Sequence, residues 1–414
     1  MTFRIQWLTL FSLLCFSAQS APGAEVYFPP PDSAGGWRTL KDPAQILKVG
    51  GIDVKRLDQA FEYTRRTTQH GGLLVVRHGW LVYEKYFGRG NREANPGMMS
   101  VAKAYLSTAC GIMLKEKKDQ IPEGLDQKVF TPRYLPEAFP LDDPRKADIK
   151  LGHLLAFTSG LRGGHNLSRN IGFVRGEYVK QEPLPARARS ADEDLNALHT
   201  AMWCNPGEGY QYSNESSHIA SMVLRHVTGM ELEEYINERL AKPMQWGRWG
   251  WGRRSGSPHV NGSAGIAVRS TDALRFCYLL LHKGRWGNRQ LVPADYVDQC
   301  GRPSPYNPHS PFSLQFDVNA DGHVAGAPPD AFYKAGAGGF GIYVLPSLDM
   351  VIYKMAGSDS SYDPAATGLP ELYKYDGSRD KWQPRALDQF YEGPQDSDTG
   401  VKRLLEMVAA SVVR

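Results

Sequence analysis

The chain has 414 residues, of which 42% are hydrophobic and 22% are charged, and its formal net charge is +4. This is an ordinary globular composition with ample apolar material for a core, compatible with one large domain or two interleaved ones. A net charge of this size does not predict a nucleic-acid partner, and the sequence contains no internal repeat and no long low-complexity tract.

The first twenty residues have the pattern of a secretory signal peptide. Arg4 precedes an apolar run over residues 5–16, and the small residues Ala18 and Ser20 fit cleavage after Ser20. This apolar run is shorter than the roughly 20 residues that a membrane-spanning helix needs. We therefore expect residues 1–20 to be removed, no membrane anchor to remain, and the mature protein to be periplasmic or secreted.

The first part of the mature chain contains three predicted elements after a lead-in. Residues 21–40 are predicted to be an extended lead-in, because Pro and Gly are frequent there. Residues 54–67 have apolar positions at helical spacing. Strand-like runs on both sides of His78-Gly79 predict a hairpin over residues 73–87. After a Pro-Gly turn, helical spacing returns over residues 98–118.

Strand signals return only near the end of the chain. Strands on either side of a central helical region predict an α/β (α+β) domain over residues 41–414. We expect a sheet subdomain at about 41–99 and 255–414 and a helical subdomain at about 100–254. The later elements predicted are helices at 231–240 and 271–282, strands at 312–318, 331–334, 340–345 and 350–355, a polar insertion at 359–399, and a terminal helix with apolar positions Val401, Leu404, Leu405, Val408 and Val412.

The helix predicted at residues 98–118 carries a pattern that suits nucleophilic catalysis. Ser100 is placed at its N-terminus, and Lys103 lies one turn later on the same face. A serine hydroxyl needs a neighbouring base, and a desolvated, partly neutral lysine can accept its proton. The helix N-terminus would also stabilise negative charge on an acyl oxygen. The alternative is that Ser100 is only a helix cap, since Ser-x-x-Lys arises by chance in a chain of this length.

Two later segments contain side chains that would complement this pair. Tyr212 follows a turn in NPGEGYQYSNESSH and can act as a base or an acid if cations lower its pKa. Asn214, two residues later, can donate a hydrogen bond to a substrate carbonyl. Lys334 can hold Tyr212 as a phenolate or bind a substrate anion.

The segment after Lys334 also predicts a role for its backbone. Gly336 lets a strand approach the substrate, and the Ala337 N–H could complete an oxyanion hole with the Ser100 N–H. Each motif is weak when taken alone. A second Tyr-x-Asn pair, Tyr235 and Asn237, lies on an amphipathic helix and is interpreted as structural. The order, spacing and loop or strand context of the three motifs together favour catalysis.

Two further groups of residues receive no catalytic role. An even number of cysteines after the signal peptide permits disulfides, but none has metal-ligand spacing and buried thiols are favoured. A basic segment is interpreted as a solvated loop, with a cationic rim over a cleft as the alternative. The cysteines are Cys110, Cys204, Cys277 and Cys300, and the charged residues of the basic segment are Arg162, Arg169, Arg175, Lys180, Arg187 and Arg189, with Glu177 and Glu182.

With these motifs in this order, the chain resembles the serine β-lactamase and penicillin-binding protein family. It is most similar to class C β-lactamases and their esterase-like and 6-aminohexanoate-dimer-hydrolase-like relatives. The resemblance extends from about residue 73 to residue 355. Beyond the three motifs, it includes LGHLLAFTSGL at 151–161, PGEGYQYSNES at 206–216, GSAGIAVRSTDALRF at 262–276 and YKAGAGGFGIYVLPSLDMVIYK at 333–354.

The resemblance implies a fold and a set of roles. The implied fold is a five-stranded antiparallel sheet flanked by helices, with an inserted all-helical domain. Ser100 would be the nucleophile, Lys103 its activating partner, and Tyr212 the general base and leaving-group acid, with Asn214 and Lys334 in support. The resemblance implies neither a metal nor an organic cofactor.

The function predicted from this resemblance is hydrolysis of small-molecule esters or amides through an acyl-enzyme. The alternatives are a β-lactamase or D-alanyl-D-alanine carboxypeptidase, and a non-catalytic sensor or binding protein that keeps the fold. β-Lactamases usually carry a hydroxyl residue between the Lys and Gly of the third motif, where this chain has Ala335. This departure favours the ester or amide hydrolase. The acyl group, the leaving group and the oligomeric state are not predicted.

Overall fold

The structure of the chain is a computed structural model that describes residues 26–163, 171–180, 192–252, 259–363 and 400–413. The predicted signal peptide at residues 1–20 and most of the predicted insertion at 359–399 lie outside the described residues. Among the residues described, no helix combines the length and the apolar character needed to cross a membrane.

The main sheet is antiparallel throughout and has six strands, not the five expected. The strands of the described residues are β1 Gly71–Arg77, β2 Trp80–Phe87, β3 Ile171–Val174, β4 Glu177–Lys180, β5 Gly250–Trp251, β6 Ile266–Ala267, β7 Arg285–Trp286, β8 Arg289–Gln290, β9 Asp317–Val318, β10 Phe332–Gly336, β11 Phe340–Leu345 and β12 Met350–Met355. The order in the main sheet is β2-β1-β12-β11-β10-β9. The sixth strand, β9, has two residues and pairs with one end of β10.

Local sequence accounts for most of these strands. His78 (φ 52°) and Gly79 (φ 71°) both have positive φ, as a tight two-residue hairpin turn requires, and they join β1 to β2 as predicted. The strand expected at 312–318 is wrong over most of its length. Gln315 has a φ of 70°, which turns the chain so that only β9 reaches β10.

The helices pack on both faces of the sheet. Helix α2 has the predicted bounds and, with α11, covers one face through residues such as Leu57 and Leu404. Helices α3 and α9 contribute to the larger cluster on the other face. The helices are α1 Pro43–Gln45, α2 Val54–Thr67, α3 Ala102–Glu116, α4 Leu151–Leu155, α5 Glu193–Leu198, α6 Asn214–Thr228, α7 Leu232–Ile236, α8 Lys242–Met244, α9 Ser270–Leu281, α10 Ala294–Cys300 and α11 Val401–Ala409.

Helix α3 is the central helix of the molecule. Every residue from Ala102 to Met113 is buried, because α6 and α7 pack against this helix in addition to the residues of the sheet cluster. A helix enclosed on all sides presents apolar or small residues around its whole circumference, as α3 does. One charged side chain, Lys103, lies within this buried stretch.

The predicted helical region differs from expectation in two places. Strands β3 and β4 form a hairpin inside the basic segment, turning at Arg175 (φ 51°) and Gly176 (φ 87°), where a loop was favoured. The side chains of β4 are exposed, so this hairpin lacks the apolar alternation by which strands are recognised. The helix expected at 231–240 is α7 followed by a π-helical turn at Asn237–Ala241.

The cysteines in the described residues are free thiols. Cys110, Cys277 and Cys300 are buried, and Cys204 is half-buried. Burial raises the pKa of each of these four thiols. They are therefore unreactive packing residues, as the sequence indicated.

Helix α11 should stabilise the sheet through Leu404, which is completely buried. Leu404→Ala is expected to lower the free energy of unfolding by about 2–5 kcal/mol, because it leaves a cavity in the apolar cluster. Arg403→Ala, at an exposed position of the same helix, should change it by roughly 0.5 kcal/mol or less. Urea unfolding of both variants measures the difference, and equal stabilities would contradict this packing.

Candidate active site

The first component of the site is the turn that begins α3. Ser100 is half-buried and lies in a 3-10 turn at Met99–Val101, directly before the helix as the sequence predicts. Met99 has a φ of 48°, a strained conformation that non-glycine residues adopt rarely and often beside functional groups. The Met98 N–H donates to Ile266 O at 2.8 Å. A Cβ atom at Gly336 would lie 2.3 Å from the Met98 carbonyl oxygen, so only glycine lets β10 approach this turn.

Lys103 is the buried centre of the site. Its side chain extends back toward the helix N-terminus, and its Nζ donates to Ser100 Oγ at 3.1 Å. The same Nζ donates to Asn214 Oδ1 at 2.8 Å and to Ser263 O at 2.7 Å. An ammonium group has three N–H donors, so these acceptors satisfy it although the residue is completely buried.

Tyr212 reaches this pair from the loop before α6. The Gln211 N–H donates to Phe157 O at 2.9 Å, and the Ser213 hydroxyl caps α6 by accepting from the Ser216 N–H. These bonds fix the chain on both sides of Tyr212. The Tyr212 hydroxyl lies near both side chains of this pair, and its interactions with Lys103 and Ser100 lower its pKa.

Two cations control the ionisation of Tyr212. The Nζ atoms of Lys103 and Lys334 each lie 4.9 Å from the centre of its ring. Burial alone would raise the pKa of Tyr212, but these two charges outweigh burial and lower it to about 8. Burial lowers the pKa of Lys103 to about 8, with repulsion from Lys334 acting in the same direction. Both groups are therefore suited to exchanging protons near neutral pH.

The third component comes from β10 and the turn after it. Lys334 is buried and points to the Ser100 side of the sheet, whereas Ala335 packs with the apolar cluster on the opposite face. Ala337 lies exposed in the turn after β10. In the described part of the chain, neither the Ser100 nor the Ala337 N–H donates to another backbone group. The structure thus leaves both amides available to an acyl oxygen.

The structure brings all seven candidate residues to one place and adds three that the sequence did not indicate. Ser263 contributes a backbone carbonyl, which has no sequence signal of its own. Phe157 holds the Tyr212 loop through its carbonyl and packs its ring 4.6 Å from that of Tyr212. Asp317 lies beside Lys334, with 3.7 Å between Oδ2 and Nζ.

The second Tyr-x-Asn pair and the basic segment lie at defined positions in the fold. The Tyr235 hydroxyl donates to Glu116 Oε2 at 2.9 Å, which joins α7 to the end of α3 rather than to the candidate site. In the basic segment, Arg175 and Lys180 lie on the β3–β4 hairpin, while Arg169, Glu182, Arg187 and Arg189 lie outside the described residues. The loop interpretation is wrong at residues 171–180, which form this hairpin, and a cationic rim over a cleft stays a prediction.

The sequence matches a known protein family over most of its length. A family profile described as beta-lactamase matches residues 57–370. This chain belongs to the β-lactamase family of serine hydrolases. Comparison with curated protein sequences finds no match.

Solved structures similar to this β-lactamase family member share its fold at low sequence identity. A candidate β-lactamase from Bacteroides dorei has a TM-score of 0.62 and 17% identity, with 88% of this chain and 100% of that chain covered. A candidate 6-aminohexanoate-dimer hydrolase from Bacillus anthracis has a TM-score of 0.56 and 19% identity, with 86% and 91% covered. EstCE1, a hydrolase with promiscuous acyltransferase activity, has a TM-score of 0.57 and 18% identity, with 77% and 98% covered.

Replacement of the Tyr212 hydroxyl tests its role as a proton carrier. Tyr212→Phe keeps the ring packing and removes only the hydroxyl, so kcat should fall by about 10²–10⁴. Tyr235→Phe is the matched control, because it removes a tyrosine hydroxyl that bonds to Glu116 away from Ser100. We would measure kcat for ester hydrolysis by the two purified variants and by the wild-type protein. A large loss of kcat in Tyr235→Phe, with kcat of Tyr212→Phe almost unchanged, would contradict the role of Tyr212 as the proton carrier.

Proposed function

We propose that this protein is an exported serine hydrolase that cleaves carboxylic esters or amides through a Ser100 acyl-enzyme. One observation carries the proposal. The buried Lys103 Nζ lies 3.1 Å from Ser100 Oγ and 4.9 Å from the centre of the Tyr212 ring, which brings the three side chains together. A serine hydroxyl that contacts two groups of lowered pKa has the proton acceptor that nucleophilic catalysis requires.

Acylation uses the two ionisable side chains near Ser100, Lys103 and Tyr212. Tyr212, ionised under the influence of Lys103 and Lys334, accepts the Ser100 proton as Oγ attacks the substrate carbonyl carbon. The Ser100 and Ala337 N–H groups bind the carbonyl oxygen as it becomes negative. Collapse of the tetrahedral intermediate breaks the bond to the leaving group. The leaving group then receives from Tyr212 the proton that came from Ser100.

Deacylation uses the same groups in reverse. Water replaces the leaving group, gives a proton to Tyr212 and attacks the acyl carbon. The bond to Ser100 Oγ then breaks, and the serine recovers its proton through Tyr212. Lys103 stays hydrogen-bonded to Ser100 and Asn214, and it keeps positive charge beside the phenolate whenever that phenolate forms.

The proposed substrate class has support from this site and from the similar structures. Ala335 supplies no hydroxyl beside Lys334, and its side chain packs on the opposite face of the sheet. The side chain at this position therefore donates no hydrogen bond to a β-lactam carboxylate, which would have to be held by Lys334 without that support. A neutral ester lacks that carboxylate. Two of the similar structures are described as a 6-aminohexanoate-dimer hydrolase and a hydrolase with promiscuous acyltransferase activity.

A hydrolysis panel tests this function directly. The wild-type protein should hydrolyse p-nitrophenyl butyrate with a higher kcat/KM than a chromogenic cephalosporin, and a linear amide belongs in the same panel. Ser100→Ala should lose labelling by a fluorophosphonate and reduce turnover by a factor of about 10⁴ or more. Ser107→Ala is the control, since its hydroxyl contacts Tyr296 deeper along the same helix.

Three results of the panel would count against the proposal. Ester hydrolysis that persists in Ser100→Ala would remove the nucleophile from the account. Efficient cephalosporin turnover with negligible ester cleavage would instead favour the β-lactamase alternative. A wild-type protein that neither labels nor turns over any substrate would favour the non-catalytic binding protein.

The proposed export rests on the N-terminal sequence alone. Expression of the full chain in a Gram-negative host should place the protein in the periplasmic or culture fraction with Ala21 as its first residue. N-terminal sequencing of the fractionated protein measures this. A cytoplasmic protein that retains residues 1–20 would contradict the predicted signal peptide.

A further inference from the structure

An acidic side chain and two aromatic rings lie near the Lys334 ammonium group. Its Nζ lies 4.9 Å from the centre of the Tyr212 ring and 5.2 Å from that of Phe312. Asp317 Oδ2 lies 3.7 Å from the same Nζ. The Lys334 side chain is only 3% exposed, whereas that of Asp317 is 34% exposed. A molecule entering from solvent therefore meets the carboxylate more readily than the ammonium group.

Asp317 stands where the paired edge of β10 ends. Strand β9 pairs with β10 only at Phe332 and Tyr333, opposite Val318 and Asp317. Residues 334–336 of β10 then continue toward the Ser100 turn, and within the described ranges no strand pairs with them on that side. This open edge is the place where a substrate can lie alongside β10 and reach Ser100. Asp317 borders it directly.

A negative charge lies beside the positive charge at this edge. The Asp317 Oδ2 atom is 3.7 Å from the Lys334 Nζ atom. A substrate carboxylate placed near Lys334 would therefore also lie close to the Asp317 carboxylate. Like charges in close contact are unfavourable, and partner selection commonly relies on this.

We infer that Asp317 is a specificity-determining residue that selects substrates with an uncharged or cationic group beside the scissile bond and rejects those with a carboxylate there. This inference rests on the proposed hydrolase function and narrows its substrate class. It disfavours β-lactams and peptides with a C-terminal carboxylate for a reason separate from Ala335. Repulsion from Asp317 acts through space, whereas Ala335 only lacks a donor.

A charge-matched ester series tests the role of Asp317. The substrates are 3-carbamoylphenyl, 3-carboxyphenyl and 3-aminomethylphenyl butyrate, which place a neutral, an anionic and a cationic group on the leaving phenol. Asp317→Asn should raise kcat/KM for the carboxy ester relative to the carbamoyl ester by about tenfold or more, and lower the relative value for the aminomethyl ester. Comparing ratios between proteins cancels the intrinsic reactivity of each ester. Asp119→Asn, which removes the same charge from an exposed turn, should leave the ratios unchanged.

The outcomes separate this inference from the proposed function. If the wild-type protein hydrolyses none of the esters, the proposed hydrolase fails. If it hydrolyses the carbamoyl ester and Asp317→Asn changes all three substrates by the same factor, Asp317 is structural and the inference is wrong. Opposite changes for the anionic and cationic esters are the result that a structural role would not produce.

A second measurement needs no variant and covers the case in which Asp317→Asn does not fold. The wild-type kcat/KM values for the carbamoyl and carboxy esters are each divided by the rate constant of that ester for hydrolysis by hydroxide, which removes its intrinsic reactivity. The corrected value should be at least about tenfold higher for the carbamoyl ester. Equal corrected values, or a higher value for the carboxy ester, would overturn the inference.

Discussion

The buried ammonium group of Lys103 is the interaction on which the site depends. A charge without solvent must be satisfied by fixed partners, and Lys103 has Ser100, Asn214 and Ser263 as acceptors. Those acceptors come from the turn before α3, the start of α6 and the loop before β6. One side chain thus ties together segments that are distant in the sequence. Burial of this side chain also lowers the pKa of Lys103 to about 8. The burial that requires fixed hydrogen-bond partners therefore also makes Lys103 able to exchange a proton near neutral pH.

The sheet contributes the second half of this arrangement. Strand β10 reaches the Ser100 turn only because Gly336 has no side chain, and this contact carries Lys334 to within 4.9 Å of the Tyr212 ring centre. Lys334 and Lys103 together oppose the effect of burial on Tyr212. The proton carrier of the proposed reaction therefore depends on one helix, which carries Lys103, and one strand, which carries Lys334. The Asp317 carboxylate then weakens the attraction between Lys334 and an anionic group of a substrate.

The sequence predicted what depends on periodicity and on side-chain type. Helix α2 and strands β11 and β12 have the predicted bounds, because their apolar residues repeat at helical or strand spacing. Ser100, Lys103, Tyr212 and Lys334 could be named because their chemistry is carried by side chains in ordered motifs. The β3–β4 hairpin was missed because its exposed residues have no apolar alternation. The sequence does not indicate Ser263, because every residue has the backbone carbonyl group that Ser263 contributes. It does not indicate Asp317, because the contact between Asp317 and Lys334 joins residues that are distant in the sequence.

The most direct test of this account is the ionisation of Tyr212 itself. Tyrosine labelled with ¹³C at Cζ reports deprotonation by NMR, and comparison with Tyr212→Phe assigns the signal among the other tyrosines. We expect a Tyr212 titration midpoint at about 8, below the usual value of about 10. The charges of Lys103 and Lys334 lower the pKa by more than burial raises it. A midpoint at or above 10 would contradict the claim that two buried lysines make Tyr212 a base.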